Sequence, residues 1–345
     1  MKIYFFVTIL SIVGSCTFKS HKEHIQDIKD SIIFEDSLLI KDISNTITKQ
    51  ELKTYVYTLS ADSFEGRKTG ESGFNKAANY LKHYYLQNDI KSPFDNQNYF
   101  QHISETFFSK TSNSSYNVLA YIEGCETPNE LLIISGHLDH EGIKGNDIYN
   151  GADDNASGTA AIMEIAEAFK IAKNKGLGPK RSILFIHFTG EEIGLEGSRY
   201  YTKHPIFPLE NTIANLNIDM IGRVDKKHRN NPNYIYIIGA DRLSTELHYI
   251  SEKANAQFTQ LELDYDFNKD NDPNKYYYRS DHYNFALQGI PVIFYFNGTH
   301  EDYHKPTDTA EKINYDLLEK RSKLIFSTAW YLANSETPIV ADKLK

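Results

Sequence analysis

Ser182-Ile183-Leu184-Phe185-Ile186-His187-Phe188-Thr189-Gly190-Glu191-Glu192-Ile193-Gly194 is the stretch on which the fold class turns. Its first seven residues are a short, nearly continuous apolar run closed by turn residues, the pattern of a strand buried on both faces. Two glutamates between glycines follow at once. Working outward, similar runs occupy 116–122, 131–135, 213–219, 234–238 and 291–296, and helical spacing occupies 157–175, 242–256, 281–287 and 315–333. Strands that alternate with helices predict an α/β chain: a three-layer αβα sandwich with a mixed, mostly parallel central sheet.

Ahead of the sheet, a helical pattern starts at Thr46, with Thr48 placed to cap Leu52, Tyr55, Val56 and Leu59. A glycine-punctuated turn, Phe64-Glu65-Gly66-Arg67-Lys68-Thr69-Gly70, leads into a second helix over 73–87. Residues 265–278, rich in Asp and Asn, read as a long surface loop. The organisation expected is a signal peptide over 1–15, a tether over 16–45, one domain over 46–335 (helical over 46–110, sheet and helices over 111–335) and a tail over 336–345.

The net charge is −9 and the basic residues are scattered, so the chain lacks the basic footprint that binds nucleic acid. Lys2, an apolar run over 3–13 and small residues before Cys16 form a secretory signal, too short to span a membrane. Val13-Gly14-Ser15-Cys16 resembles the bacterial lipobox, which implies an exported lipoprotein, periplasmic or facing out from the cell surface, held to the membrane through lipid on Cys16. The chain has two cysteines, so lipidation of Cys16 leaves Cys125 as the sole thiol and no internal disulfide.

Ligands of open α/β sheets gather where loops leave the carboxyl ends of the strands. Five polar clusters lie there or on loops that reach that edge. After 131–135 comes Gly136-His137-Leu138-Asp139-His140, where a neutral imidazole is a zinc ligand and an acid two residues on can orient the ring. Gly151-Ala152-Asp153-Asp154-Asn155-Ala156-Ser157-Gly158 sets two acids at a helix entrance, as a cap or as ligands. Glu191 and Glu192 point in different directions if strand geometry persists, so one can bind metal while the other faces substrate. Asp219 ends an apolar strand and needs a partner, which metal would supply. The fifth cluster is Asp302-Tyr303-His304-Lys305-Pro306-Thr307-Asp308-Thr309. Each alone is an ordinary polar turn; together they supply ligands for two divalent cations and a spare glutamate as base.

These motifs, in this order, resemble the M28 family of co-catalytic zinc peptidases, with coverage from about Thr46 to Asn334. The turn around Phe64-Glu65-Gly66-Arg67 resembles that family's N-terminal region. The resemblance implies two zinc ions, with His137 and Asp219 completing one site, Glu192 and His304 the other, and Asp154 bridging both. It implies Glu191 as base, Asp139 as the residue orienting His137, Tyr303 as oxyanion donor and a cis Asp154–Asn155 peptide bond.

The activity implied is hydrolysis of peptide bonds, with aminopeptidase action favoured on this compact plan. Carboxypeptidase or dipeptidase action is the neighbouring reading, in which Arg279 could grip a substrate carboxylate or else form a structural ion pair. A glutaminyl cyclase, an acyltransferase with a single zinc, typically departs from the Asp-Asn-Ala-Ser-Gly run that is intact here. A metal-free binding lipoprotein would be expected to lack a ligand or the base, and none is missing.

Overall fold

The computed structural model describes residues 20–110 and 112–344, so the signal segment and Cys16 lie outside the described residues. The chain divides into two units, Met1–Ile33 and Phe34–Lys345. In the first, helix α1 (His21–Ser31) begins with a capping box: Ser20 Oγ accepts from the Glu23 amide, and Glu23 Oε2 accepts from the Ser20 amide at 2.7 Å.

The second unit is built on ten strands among the described residues: β1 (Phe100–Ile103), β2 (Ser115–Ile122), β3 (Thr127–His137), β4 (Gly142–Lys144), β5 (Asp147–Tyr149), β6 (Arg181–Phe188), β7 (Thr212–Ile218), β8 (Tyr234–Ile238), β9 (Glu262–Asp264) and β10 (Val292–Phe296). Eight of them form one sheet in the order β1-β2-β6-β3-β7-β10-β8-β9, and β4 pairs with β5 as a separate hairpin. The inner strands β6, β3, β7 and β10 run parallel, while β1, β2 and β8 are antiparallel to their inner neighbours. Every residue of β6, β7, β8 and β10 is buried, as expected of strands covered on both faces.

On one face α5 (Gly158–Asn174) and α9 (Tyr315–Asn334) pack together, joined by α2 (Ser37–Ser44), α3 (Lys49–Leu59) and α7 (Thr245–Ala254). Helix α4 (Ser72–Gln87) is tied to α5 by the Tyr84 hydroxyl, which donates to Met163 O at 2.9 Å. The other face carries α6 (Glu196–Lys203) and α8 (His282–Ala286), whose Tyr201 and Phe285 join Leu119, Ile133, Ile186 and Phe188 in an apolar core. This is the expected three-layer sandwich.

Register sets the site. His137 at the end of β3 pairs with Phe188 at the end of β6, Ser135 with Asn217 on β7, and Tyr295 with Ile218. Four strand exits therefore open at one level, and the loops that carry the polar clusters leave from them.

Some elements differ from expectation. The tether over 16–45 is too long by a helix, because α2 buries Ile40 and Ile43 against α5 and α9. Residues 265–278 are not simply a surface loop, since Tyr276 and Tyr277 are buried and Phe267 packs on the core. Strands β1, β4, β5 and β9 have only three or four residues, too few for a period-two pattern to register. Helix α6 is polar apart from its tyrosines, so it lacks an apolar stripe.

Candidate metal centre

His137 is buried at the exit of β3, and its two ring nitrogens have different partners. Nδ1 meets the Asp139 main-chain carbonyl at 3.0 Å, which favours a proton on Nδ1 and leaves the Nε2 lone pair free to ligate a metal. That Nε2 lies 3.2 Å from Asp154 Oδ1 and 3.2 Å from Asp219 Oδ1. The other Asp154 oxygen, Oδ2, lies 3.0 Å from His304 Nε2, which is in turn 3.2 Å from Glu192 Oε2. One carboxylate thus faces two separate histidine–carboxylate sets.

The donor set suits divalent metal. Bonds of about 2.0–2.1 Å in a tetrahedron hold neighbouring ligand atoms about 3.3 Å apart, near the separations seen here. Imidazole with carboxylate is a borderline-to-hard set that zinc accepts. Without a cation, Asp154, Glu191, Glu192 and Asp219 would crowd together in a largely water-free site. His137–Asp154–Asp219 and Glu192 with either His140 or His304 all bring their donor atoms close enough for one ion.

The Asp154 carboxylate is delivered by a turn with little freedom. Gly151 sits at φ 54°, and a Cβ there would fall 2.1 Å from Asp154 O and 2.6 Å from the His140 ring, so no side chain fits. Asp308 Oδ2 accepts from the Asp153 and Asp154 amides at 2.9 and 3.2 Å. The Asp154–Asn155 peptide bond is cis, and Asn155 Oδ1 accepts from the Gly158 and Met220 amides. The two acids of the pair divide: Asp153 accepts from the Gly222 amide at 2.6 Å and meets His300, away from the histidines of the centre.

The two glutamates also divide. Although burial opposes it, and Asp154 adds to that, His140 and His304 hold Glu192 down to about 2, as an anionic ligand requires. Burial pushes Glu191 well above the ordinary carboxylate range, the opposite direction from Glu192. Tyr303 stacks on the His304 ring at 3.9 Å, and burial, with Asp154, Glu192 and Glu191 close by, drives its hydroxyl pKa upward. The phenol therefore stays a donor.

Asp139 occupies the site differently from expectation. Its carboxylate stands 3.9 Å from His137 Nδ1, and the main-chain carbonyl makes the closer contact. The carboxylate accepts instead from Thr69 Oγ1 at 2.8 Å and from the Glu191 and Glu192 amides at 3.1 and 3.4 Å, which pins the glutamate turn against β3.

Several contributors had no role assigned to them from sequence. His140 is buried with Nδ1 2.8 Å from Glu192 Oε1, its only signal being its place one residue after Asp139. Ser280 Oγ donates to Asp219 Oδ2 at 2.7 Å. The fully buried Arg67 guanidinium donates to the carbonyls of Leu59, Leu138, Asn150 and Gly151, linking the N-terminal turn to two loops of the centre. Beside the centre lies a small recess of about 30 Å³, bordered by Glu191, Tyr303, Arg279 and the apolar Met220, Phe294 and Phe296.

The family model for peptidase family M28 matches residues 117–329, which contain every ligand-type residue of this centre. The chain belongs to peptidase family M28. Among curated relatives of this M28 chain, leupeptin-inactivating enzyme 1 of Streptomyces exfoliatus is 26% identical over 306 residues, covering 82% of the chain and 60% of the relative. The chain spans only 38–60% of the length of the first three curated relatives. Among solved structures, the LapA aminopeptidase of Legionella pneumophila superposes with a TM-score of 0.68 at 20% identity, covering 88% of the chain and 76% of LapA. BSAP, a zinc aminopeptidase of Bacillus subtilis, superposes with a TM-score of 0.63 at 15% identity over 87% of the chain and 99% of BSAP. At these identities the two superpositions speak for the fold.

Proposed function

We propose that this M28 chain is a two-zinc aminopeptidase, exported and anchored by lipid on Cys16. The observation that carries the reading is Asp154, whose two oxygens face separate histidine–carboxylate sets while Glu191 stays uncommitted at the edge of the recess. His137, Asp154 and Asp219 would hold one ion, and His304, Glu192 and Asp154 the second. When bound, zinc supplies Lewis acidity that acidifies a water and polarises the scissile carbonyl.

The chain's own residues do the rest. Glu191, with its affinity for protons raised by burial, accepts the proton of the attacking water and passes it to the leaving amine. Tyr303 offers a hydroxyl that remains protonated to the oxygen on which negative charge develops. Asp139 holds the glutamate turn so that Glu191 and Glu192 keep their separate tasks. The five ligand-type side chains and the intact Asp-Asn-Ala-Ser-Gly run favour this reading over a single-zinc cyclase.

The test is release of chromophore from aminoacyl anilides and their N-acetylated forms by zinc-loaded enzyme, with metal counted per chain. Expected are turnover of free-amine substrates only, about two zinc ions per chain, and a fall of roughly 10²–10⁴-fold in kcat for Glu191→Gln with zinc content unchanged. No turnover of any anilide by loaded wild type would overturn the aminopeptidase reading. Lipid anchoring is checked by the mass of the mature N-terminus and by release of Cys16→Ser from the membrane fraction; an unmodified Cys16 rules it out.

A further inference from the structure

Arg279 stands out among the arginines around the centre. Arg242 is paired with Asp270 at 2.9 Å and Arg223 with Asp302 at 2.8 Å, whereas Arg279 has no ion pair among the described residues. It borders the same recess as Glu191 and Tyr303. Its guanidinium lies 4.9 Å from the centre of the Tyr276 ring, a cation–π contact that limits its freedom. Tyr276 is itself fixed, because its amide donates to Asp272 Oδ2 at 2.9 Å and its side chain is buried. The Asp272 carboxylate is taken up by the Asn274 and Tyr276 amides and is not spare for the arginine.

Arg279 is exposed, and a guanidinium resting on an aromatic ring at the rim of this recess has a planar fork free to take both oxygens of a carboxylate. Other charged groups of the recess are the acids of the centre, which repel an anion unless metal neutralises them. We infer that Arg279 selects substrates carrying a carboxylate close to the scissile bond, and that it is the specificity-determining residue of the recess. This rests on the peptidase reading above. The carboxylate has two possible sources in a short peptide: the side chain of an N-terminal Asp or Glu, or the C-terminal carboxylate of a dipeptide.

The test compares kcat/KM for matched charged and neutral substrates with wild type, Arg279→Gln and Arg279→Lys, all zinc-loaded. Glutamyl against glutaminyl anilide examines the side-chain source; leucyl-glycine against leucyl-glycinamide examines the C-terminal source. In wild type the charged member of one pair is expected to be favoured at least about tenfold, as a charge-assisted bidentate contact supplies. Arg279→Gln should abolish that preference chiefly through KM, lowering kcat/KM for the charged member at least about tenfold more than for the neutral one, and be partly rescued by Arg279→Lys. Neutral substrates turned over with no charge preference, or with a preference that survives Arg279→Gln, overturn this inference alone. No turnover of any of the four substrates by wild type overturns it together with the peptidase reading.

Discussion

Adjacent acids in this site have opposite duties, and their neighbours decide which. Asp153 is spent on the Gly222 amide and His300, while Asp154 faces the two metal-ligand sets. Glu192 is held anionic by two histidines, and Glu191, one residue earlier, is pushed by burial toward holding a proton. Asp139 is the hinge of this arrangement, because its carboxylate accepts both glutamate amides. Asp139→Asn replaces one acceptor oxygen by an amide that points donors at donors. We expect zinc content to hold while kcat/KM falls about 10–100-fold, the usual cost of disturbing a ligand's support; metal analysis beside anilide kinetics checks both. Loss of zinc with full activity per bound ion would show that Asp139 serves binding only.

At the level of elements, the N-terminal turn is tied to the loops of the centre through Thr69, which bonds Asp139 and the Gly190 amide, and above all through Arg67. Arg67 stands on a turn where Glu65, Gly66 and Arg67 all have positive φ, and it spans from Leu59 at the end of α3 to Leu138, Asn150 and Gly151. Arg67→Met keeps the apolar stem and strands those carbonyls, so the variant should lose about 3 kcal/mol or more of unfolding free energy. Urea unfolding of the zinc-loaded proteins measures this, and a loss under about 1 kcal/mol would mean water replaces the guanidinium. The strand and helix succession was legible because β6, β7, β8 and β10 are buried throughout and read as plain apolar runs. The edge strands β1 and β9, the β4–β5 hairpin and α6 were not, since their formation depends on neighbours rather than on a local period.

For the molecule as a whole, the layer of helices behind the sheet encloses an acid whose ionisation is linked to stability. Glu164 on α5 is 2% exposed, accepts from the Thr48 amide at the start of α3 at 2.9 Å, and has no partner for Oε1 among the described residues. Burial pushes it up to about 8 against the Thr48 amide, with Glu51, Glu167 and Glu319 adding to the rise. Its folded-state pKa therefore exceeds the unfolded value of 4.5, so its contribution to stability is full below pH 4.5 and is lost as pH rises through 8. Glu164→Gln removes that loss. The Tm of the variant should match wild type near pH 5 and exceed it by a few degrees above pH 8; parallel thermal scans decide, and an equal gap at both pH values would assign the effect to packing.

Sequence by itself determined the layered α/β plan, the order of the five polar clusters and the family to which they belong, because buried strands and turn glycines are local patterns and the ligand types are set by chemistry. Tertiary structure alone decided the turning of Asp139 toward the glutamates, the recruitment of His140 and Ser280, and the carbonyls that Arg67 joins. These pairings join residues that are far apart in the chain, and their distances follow from the register of β3, β6, β7 and β10, which no local stretch of sequence contains.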